Sequence, residues 1–136
     1  MNAPRWGIVL AVTAACWSSA ALAQGVIERV KAGGKIVIAH RESSVPFSYV
    51  DPATKKPVGY ALDLCLKLAD AVGKKAGVRN VPVEFLQVTP ANRIAMVEQG
   101  KADMECGSTT NNAERRQKVA FTIPHFITGA RLLVKA

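Results

Sequence analysis

The sequence predicts an α/β fold, a mostly parallel sheet with helices packed on its faces, and three observations carry that expectation. Short apolar runs of strand length alternate with segments whose apolar residues recur every three or four positions. The first run, Lys35 to His40, has a continuous apolar centre, the pattern of a strand buried on both faces. Each strand-like run is followed by hydroxyls, amides or arginines, and ligands of open parallel sheets bind beyond the carboxyl ends of the strands.

The chain opens with an export signal: Arg5 as the positive region, Trp6 to Ala15 as the apolar region and Ala21-Leu22-Ala23 as a small-residue cleavage site, so residues 1–23 read as a cleavable signal peptide. The apolar stretch is short for a membrane span. Cys16 offers lipid attachment as an alternative, but Thr13-Ala14-Ala15 before it is a poor match to a lipidation signal.

Residues 24–136 then form the folded part, read as a single unit. Val26 to Ala32 predicts a short helix stopped by Gly33-Gly34, and the Lys35 to His40 strand follows. Arg41 to Phe47 is a polar loop at the carboxyl end of that strand. Phe47 to Val50 is a short extended piece, and Asp51 to Pro57 is turn chemistry. An amphipathic helix from about Ala61 to Ala76 places Leu62, Cys65, Leu66, Ala69 and Val72 on one stripe and stops at Gly77.

Val81 to Gln87 is a second, alternating strand. Thr89-Pro90 starts a helix, with Thr89 as the cap and Pro90 in the first turn, and Gly100 ends it. Arg93 falls in that first turn, where a cation opposes the helix dipole; either something recruits it or it is solvated. Ala102 to Cys106 is the third strand, Ala113 to Lys118 a short polar helix, and Ala130 to Val134 a closing strand.

Three polar groups therefore converge on one rim: Arg41 to Ser44, Thr89 to Arg93, and Gly107 to Arg116. The last follows a strand that stops at glycine and hands over to a helix start, an arrangement suited to a carboxylate or phosphate. Ser108 and Thr110 have a plainer alternative, capping the following helix. The formal charge of +8, one unit of which is Arg5, suits an anionic ligand. Scattered cations and an aromatic content of 6% exclude nucleic acid as a partner. Single histidines at His40 and His125 and the lack of a Cys-x-x-C pair give no metal site, and no cofactor is expected. Cys65 and Cys106 are either a disulfide in an oxidising compartment or two buried thiols.

Gly59-Tyr60-Ala61-Leu62-Asp63-Leu64 resembles a signature of the family 3 solute-binding proteins of polar amino acid ABC transporters. His40 to Tyr49, Asn92-Arg93-Ile94, and Glu105 to Asn112 with Glu114-Arg115 are similar to the glutamate/aspartate-binding members. The resemblance runs from about Val26 to the end. It implies a type II periplasmic-binding-protein fold, cut before its second lobe, with residues 24–136 an incomplete lobe I. It also implies an extracytoplasmic binding component that takes L-glutamate or L-aspartate, works with permease subunits in the inner membrane, resides in the periplasm and is not an enzyme.

By the same resemblance Arg41 contacts the ligand side-chain carboxylate and Arg93 belongs to that pocket. Ser108 and Thr110 hydrogen-bond the amino-acid backbone, and Arg115 clamps the α-carboxylate. Family members are about twice this length and trap ligand between two lobes, so this chain is expected to bind acidic amino acids weakly or not at all. Two alternatives share the fold. A periplasmic dehydratase needs an acid and a base, for which Glu42 and Glu105 are the rim candidates. An extracellular sensor module needs a membrane span downstream.

Overall fold

A computed structural model describes residues 25–129 and 132–135. The segment read as a signal peptide, Cys16 included, lies outside the described residues.

Helix α1, Val26–Lys31, buries Val30 and ends where the Gly33 and Gly34 amides donate to the carbonyls of Val30 and Arg29. Strand β1, Ile36–Arg41, follows. Its centre is apolar throughout because both faces are covered. Val30, Ile36, Ile38, Ala61, Leu62, Cys65, Ala69 and Cys106 form one buried cluster. Ala39, Val88 and Ala102 form the other, with Val37, Leu86, Met96 and Val97 packed against it. Alternate residues of one strand thus enter two cores, as a strand sandwiched between helices requires.

The end of β1 leads into a small antiparallel sheet, in which the extended piece expected at Phe47 to Val50 pairs with segments expected to be loop and turn. It consists of β2, Ser43–Ser44, β3, Ser48–Val50, and β4, Pro57–Val58. Strands of two and three residues are too short to show a period. The fully buried Ser48 ties this sheet to the rim, its hydroxyl accepting the Arg41 N–H at 2.9 Å.

Helix α2, Tyr60–Ala76, begins after Gly59 at φ 135°, where an added Cβ would lie 2.4 Å from the Phe47 carbonyl oxygen. Only glycine fits there. Its buried stripe runs through Ala61, Leu62, Cys65, Ala69 and Gly73; Leu66, expected on that stripe, is 42% exposed at its border. Gly73 replaces it as a contact point, letting Val81 approach the helix backbone.

Strand β5, Val83–Val88, pairs in parallel with one side of β1, and β6, Met104–Cys106, pairs in parallel with the other. The order β5-β1-β6 makes the most apolar strand the central one. Between them α3, Arg93–Glu98, is entered through a turn with reciprocal bonds: Asn92 N–H to Thr89 Oγ1 at 3.3 Å, and Thr89 N–H to Asn92 Oδ1 at 2.8 Å. The helix therefore starts at Arg93, later than the expected Thr89-Pro90, with Asn92 as its N-cap residue, and the reciprocal Thr89–Asn92 bonds belong to the turn before it.

Helix α4, Ala113–Arg116, is shorter than expected; Lys118 lies beyond it in a turn whose amide donates to the Arg115 carbonyl. The expected closing strand is corrected. Ala130 and Arg131 lie outside the described residues, and Leu132, Leu133 and Val134 are in no strand and are 94%, 101% and 76% exposed. Both edges of β1 are already taken by β5 and β6. Apolar composition alone does not make a strand; pairing of the backbone with a neighbouring strand does.

Candidate functional site

The three rim segments meet as the strand order demands, since β5, β1 and β6 are neighbours and all point the same way. Arg41 is the last residue of β1, Thr89 to Arg93 follow β5, and Gly107 follows β6.

Arg93 is the centre of the arrangement. Its side chain is 8% exposed, and its Nη1 lies 4.0 Å from Oε1 of Glu105, whose side chain is 9% exposed. That settles the open choice at Arg93: it is recruited, not solvated. Burial pushes the Arg93 guanidinium below its ordinary pKa, Glu105 opposes that shift, and the neighbouring guanidiniums of Arg115 and Arg41 add to it. Three arginines therefore share one neighbourhood, with one carboxylate among them.

Their donors are partly unused. Arg93 Nε and Nη1, Arg41 Nε, Glu105 Oε1 and Thr109 Oγ1 are buried and have no hydrogen-bond partner among the described residues. Buried polar atoms without partners are costly and uncommon. Clustered on one rim around arginines, they offer donors of the kind that suit an anion.

Gly107 holds the cluster close. An added Cβ would sit 2.7 Å from Glu105 Oε1 and 3.3 Å from Arg41 Cγ, so the glycine lets the carboxylate and the Arg41 stem pack against the turn. The disulfide joining Cys65 to Cys106, with Cα atoms 6.4 Å apart, fixes the residue before Gly107 to α2. The two cysteines are a bridge, not separate thiols.

Arg115 is half-buried; its backbone N–H donates to Asn112 Oδ1 at 2.9 Å and its Nη1 to the Thr110 carbonyl at 2.9 Å. Asn112 is therefore the cap of α4. Ser108 and Thr110 do not cap it, and both residues are exposed at the wall of the site. Arg116 points away to Asn111 Oδ1. His40 is buried with Nδ1 3.0 Å from the Arg41 carbonyl oxygen, in a structural role.

Two residues escaped the sequence reading. Thr109 lies between the expected Ser108 and Thr110, and Glu105 is expected only as a rim candidate, with Glu42, for a catalytic acid or base. The signal for Glu105 was alternation along β6: Cys106 enters the core beside α2, so Glu105 must face the side of α3, which carries Arg93. A concavity of about 820 Å³ at this wall includes Glu105, Gly107 and Ser108 to Asn111, but its remaining walls are largely apolar, among them Leu64, Leu68 and Phe126, and the three arginines are not among its lining residues.

The family described as bacterial extracellular solute-binding proteins, family 3, matches residues 36–136. The chain is 41% identical over 128 residues to an L-glutamate/L-aspartate-binding protein of Pseudomonas aeruginosa, covering 92% of this chain and 42% of that one. It is 43% identical over 117 residues to a glutamate/aspartate import solute-binding protein of Escherichia coli, covering 86% and 38%. The chain thus spans about two fifths of the length of these relatives. Among solved structures it is similar to an ancestral cyclohexadienyl dehydratase, with TM-score 0.63 and 26% identity over 74% of this chain and 39% of that one. It is also similar to the arginine-bound form of domain 1 from TmArgBP, in a mutant, with TM-score 0.60 and 26% identity over 74% and 71%.

Proposed function

This chain belongs to the bacterial extracellular solute-binding proteins of family 3, and from that membership we propose that residues 24–136 form part of lobe I of the binding component of an amino acid ABC importer, working in the periplasm after export. The ligand is L-glutamate or L-aspartate, and the partners are permease subunits in the inner membrane. The observation that carries this reading is the shared neighbourhood of Arg41, Arg93 and Arg115 with unused buried donors on two of them.

In this reading Arg41 and Arg93 receive the side-chain carboxylate, Arg115 receives the α-carboxylate, and Ser108 and Thr110 hydrogen-bond the amino-acid backbone. A planar guanidinium matches a carboxylate with two parallel bonds and keeps its charge at every physiological pH. Each such bond contributes about 1.5–3 kcal/mol. The relatives from P. aeruginosa and E. coli carry glutamate and aspartate in their names, and the arginine-bound domain 1 is a precedent for an amino acid held by a domain of similar fold. Three positive charges oppose a cationic amino acid here, so the ligand class is inverted relative to that neighbour.

Calorimetric titration of the chain with L-glutamate, L-aspartate and L-arginine tests this. Heats from the two acidic amino acids, with an affinity weaker than micromolar, and none from arginine are expected; binding of arginine as strong as that of glutamate contradicts the ligand class. The dehydratase-like neighbour prompts one control: incubation with prephenate is expected to give no turnover, because Glu105 faces an arginine and not a partner base.

A further inference from the structure

We infer that Glu105 is the internal counter-charge of the arginine cluster, a positioning residue that keeps Arg93 buried in the unliganded site while leaving its donors free for an entering anion. The inference rests on the anion-site reading above and adds a residue to which that reading gives no role. At 4.0 Å the Arg93–Glu105 pair is a Coulombic contact too long for a hydrogen bond, and both facing atoms lack any other partner among the described residues. A closer, bidentate pair would satisfy the guanidinium and block it. No counter-charge at all would leave Arg93 buried beside Arg41 and Arg115 with nothing to offset their repulsion. The observed geometry sits between those extremes.

Its place in the chain fits the role. Glu105 is held on β6 by pairing of its neighbours with β1, and by the Cys65–Cys106 bridge one residue on. Gly107 leaves room for the carboxylate where any Cβ would displace it. Such a group stabilises the empty site and weakens the filled one, because it repels the same anion that the arginines attract.

The test is thermal unfolding of the whole chain and of Glu105→Gln, in sodium chloride and in sodium sulfate at equal ionic strength, with L-glutamate as a third condition. Glutamine keeps the shape and an acceptor but removes the charge. The variant is expected to lose at least about 4 °C in chloride, to recover most of it in sulfate, and to bind sulfate about fivefold or more tightly than the parent. A drop of equal size in both salts, or no drop in either, overturns the inference, since a merely structural glutamate gives no anion dependence. The double substitution Arg93→Gln with Glu105→Gln removes one charge of each sign and is expected to abolish the excess sulfate effect; persistence of that effect overturns the inference even if the single variant is too unstable to follow. If sulfate behaves as expected but L-glutamate stabilises neither protein, Glu105 keeps its role and the amino-acid reading falls. If L-glutamate stabilises both proteins equally and sulfate does not distinguish them, the reading stands and the role of Glu105 falls.

Discussion

Arg93 Nη1 stands 4.0 Å from Glu105 Oε1, two buried and opposite charges that attract without exchanging a hydrogen bond. Arg93 belongs to α3 and Glu105 to β6, so the pair links a helix to an edge strand of the sheet. Around it Arg41 and Arg115 complete a positive cluster.

Arg41→Ala is expected to reduce binding of L-glutamate about tenfold or more, the loss of one charge-assisted contact, and to change binding of L-glutamine little. Titration of both amino acids against both proteins checks this. Equal losses for the two ligands would remove Arg41 from contact with the side-chain carboxylate.

Gly107→Ala places a methyl group against Glu105 Oε1 and Arg41 Cγ. The glutamate is the far end of a flexible side chain, so the fold yields cheaply, by less than about 1.5 kcal/mol. Binding of L-glutamate is expected to fall about tenfold, because both charged neighbours move. Urea unfolding alongside titration checks the pair of effects; a large stability loss with binding retained would reverse the assignment.

The Cys65–Cys106 bridge closes a loop across 41 positions. Replacing both cysteines by serine is expected to cost about 2–4 kcal/mol, and to weaken anion binding as well, because Cys106 precedes the site glycine. Urea midpoints for the oxidised chain and the double variant give the stability change. Matching midpoints would make the bridge incidental.

Asp103 is structural. Its carboxylate, 5% exposed, accepts the Arg29 guanidinium on one oxygen and the Val37 N–H at 2.8 Å on the other, joining α1, β1 and the start of β6. Asp103→Ala strands the Val37 amide and is expected to cost about 2–3 kcal/mol; Asp103→Asn keeps an acceptor and should cost less than half as much. Equal costs for the two substitutions, read from urea unfolding, would show that the Val37 bond contributes nothing.

The parallel sheet was legible because β1 carries its burial in its composition: Ile36, Ile38 and Ala39 are all buried, and no surface strand reads that way. The rim was legible because strand ends and polar loops alternate along the chain. The roles of Glu105 and Thr109 were not, since burial without a partner is a property of the assembled site; alternation along β6 gives only the face on which Glu105 lies. Nor was the pairing of β2 to β4, of which only Phe47 to Val50 was expected to be extended, and Leu132 to Val134 shows the opposite failure, apolar residues that join no strand. The two cysteines became a bridge only once α2 and β6 were packed together.

The most direct test of the three-arginine anion site is an NMR titration of the chain with L-glutamate, following backbone amides and arginine Nε–Hε signals. The site predicts shifts concentrated at Gly107 to Arg115 and at the side chains of Arg41 and Arg93, saturating with a single weak affinity and lost in Arg93→Ala while the remaining spectrum keeps its dispersion. Shifts confined to other surfaces, or unchanged glutamate binding by a folded Arg93→Ala, would contradict it.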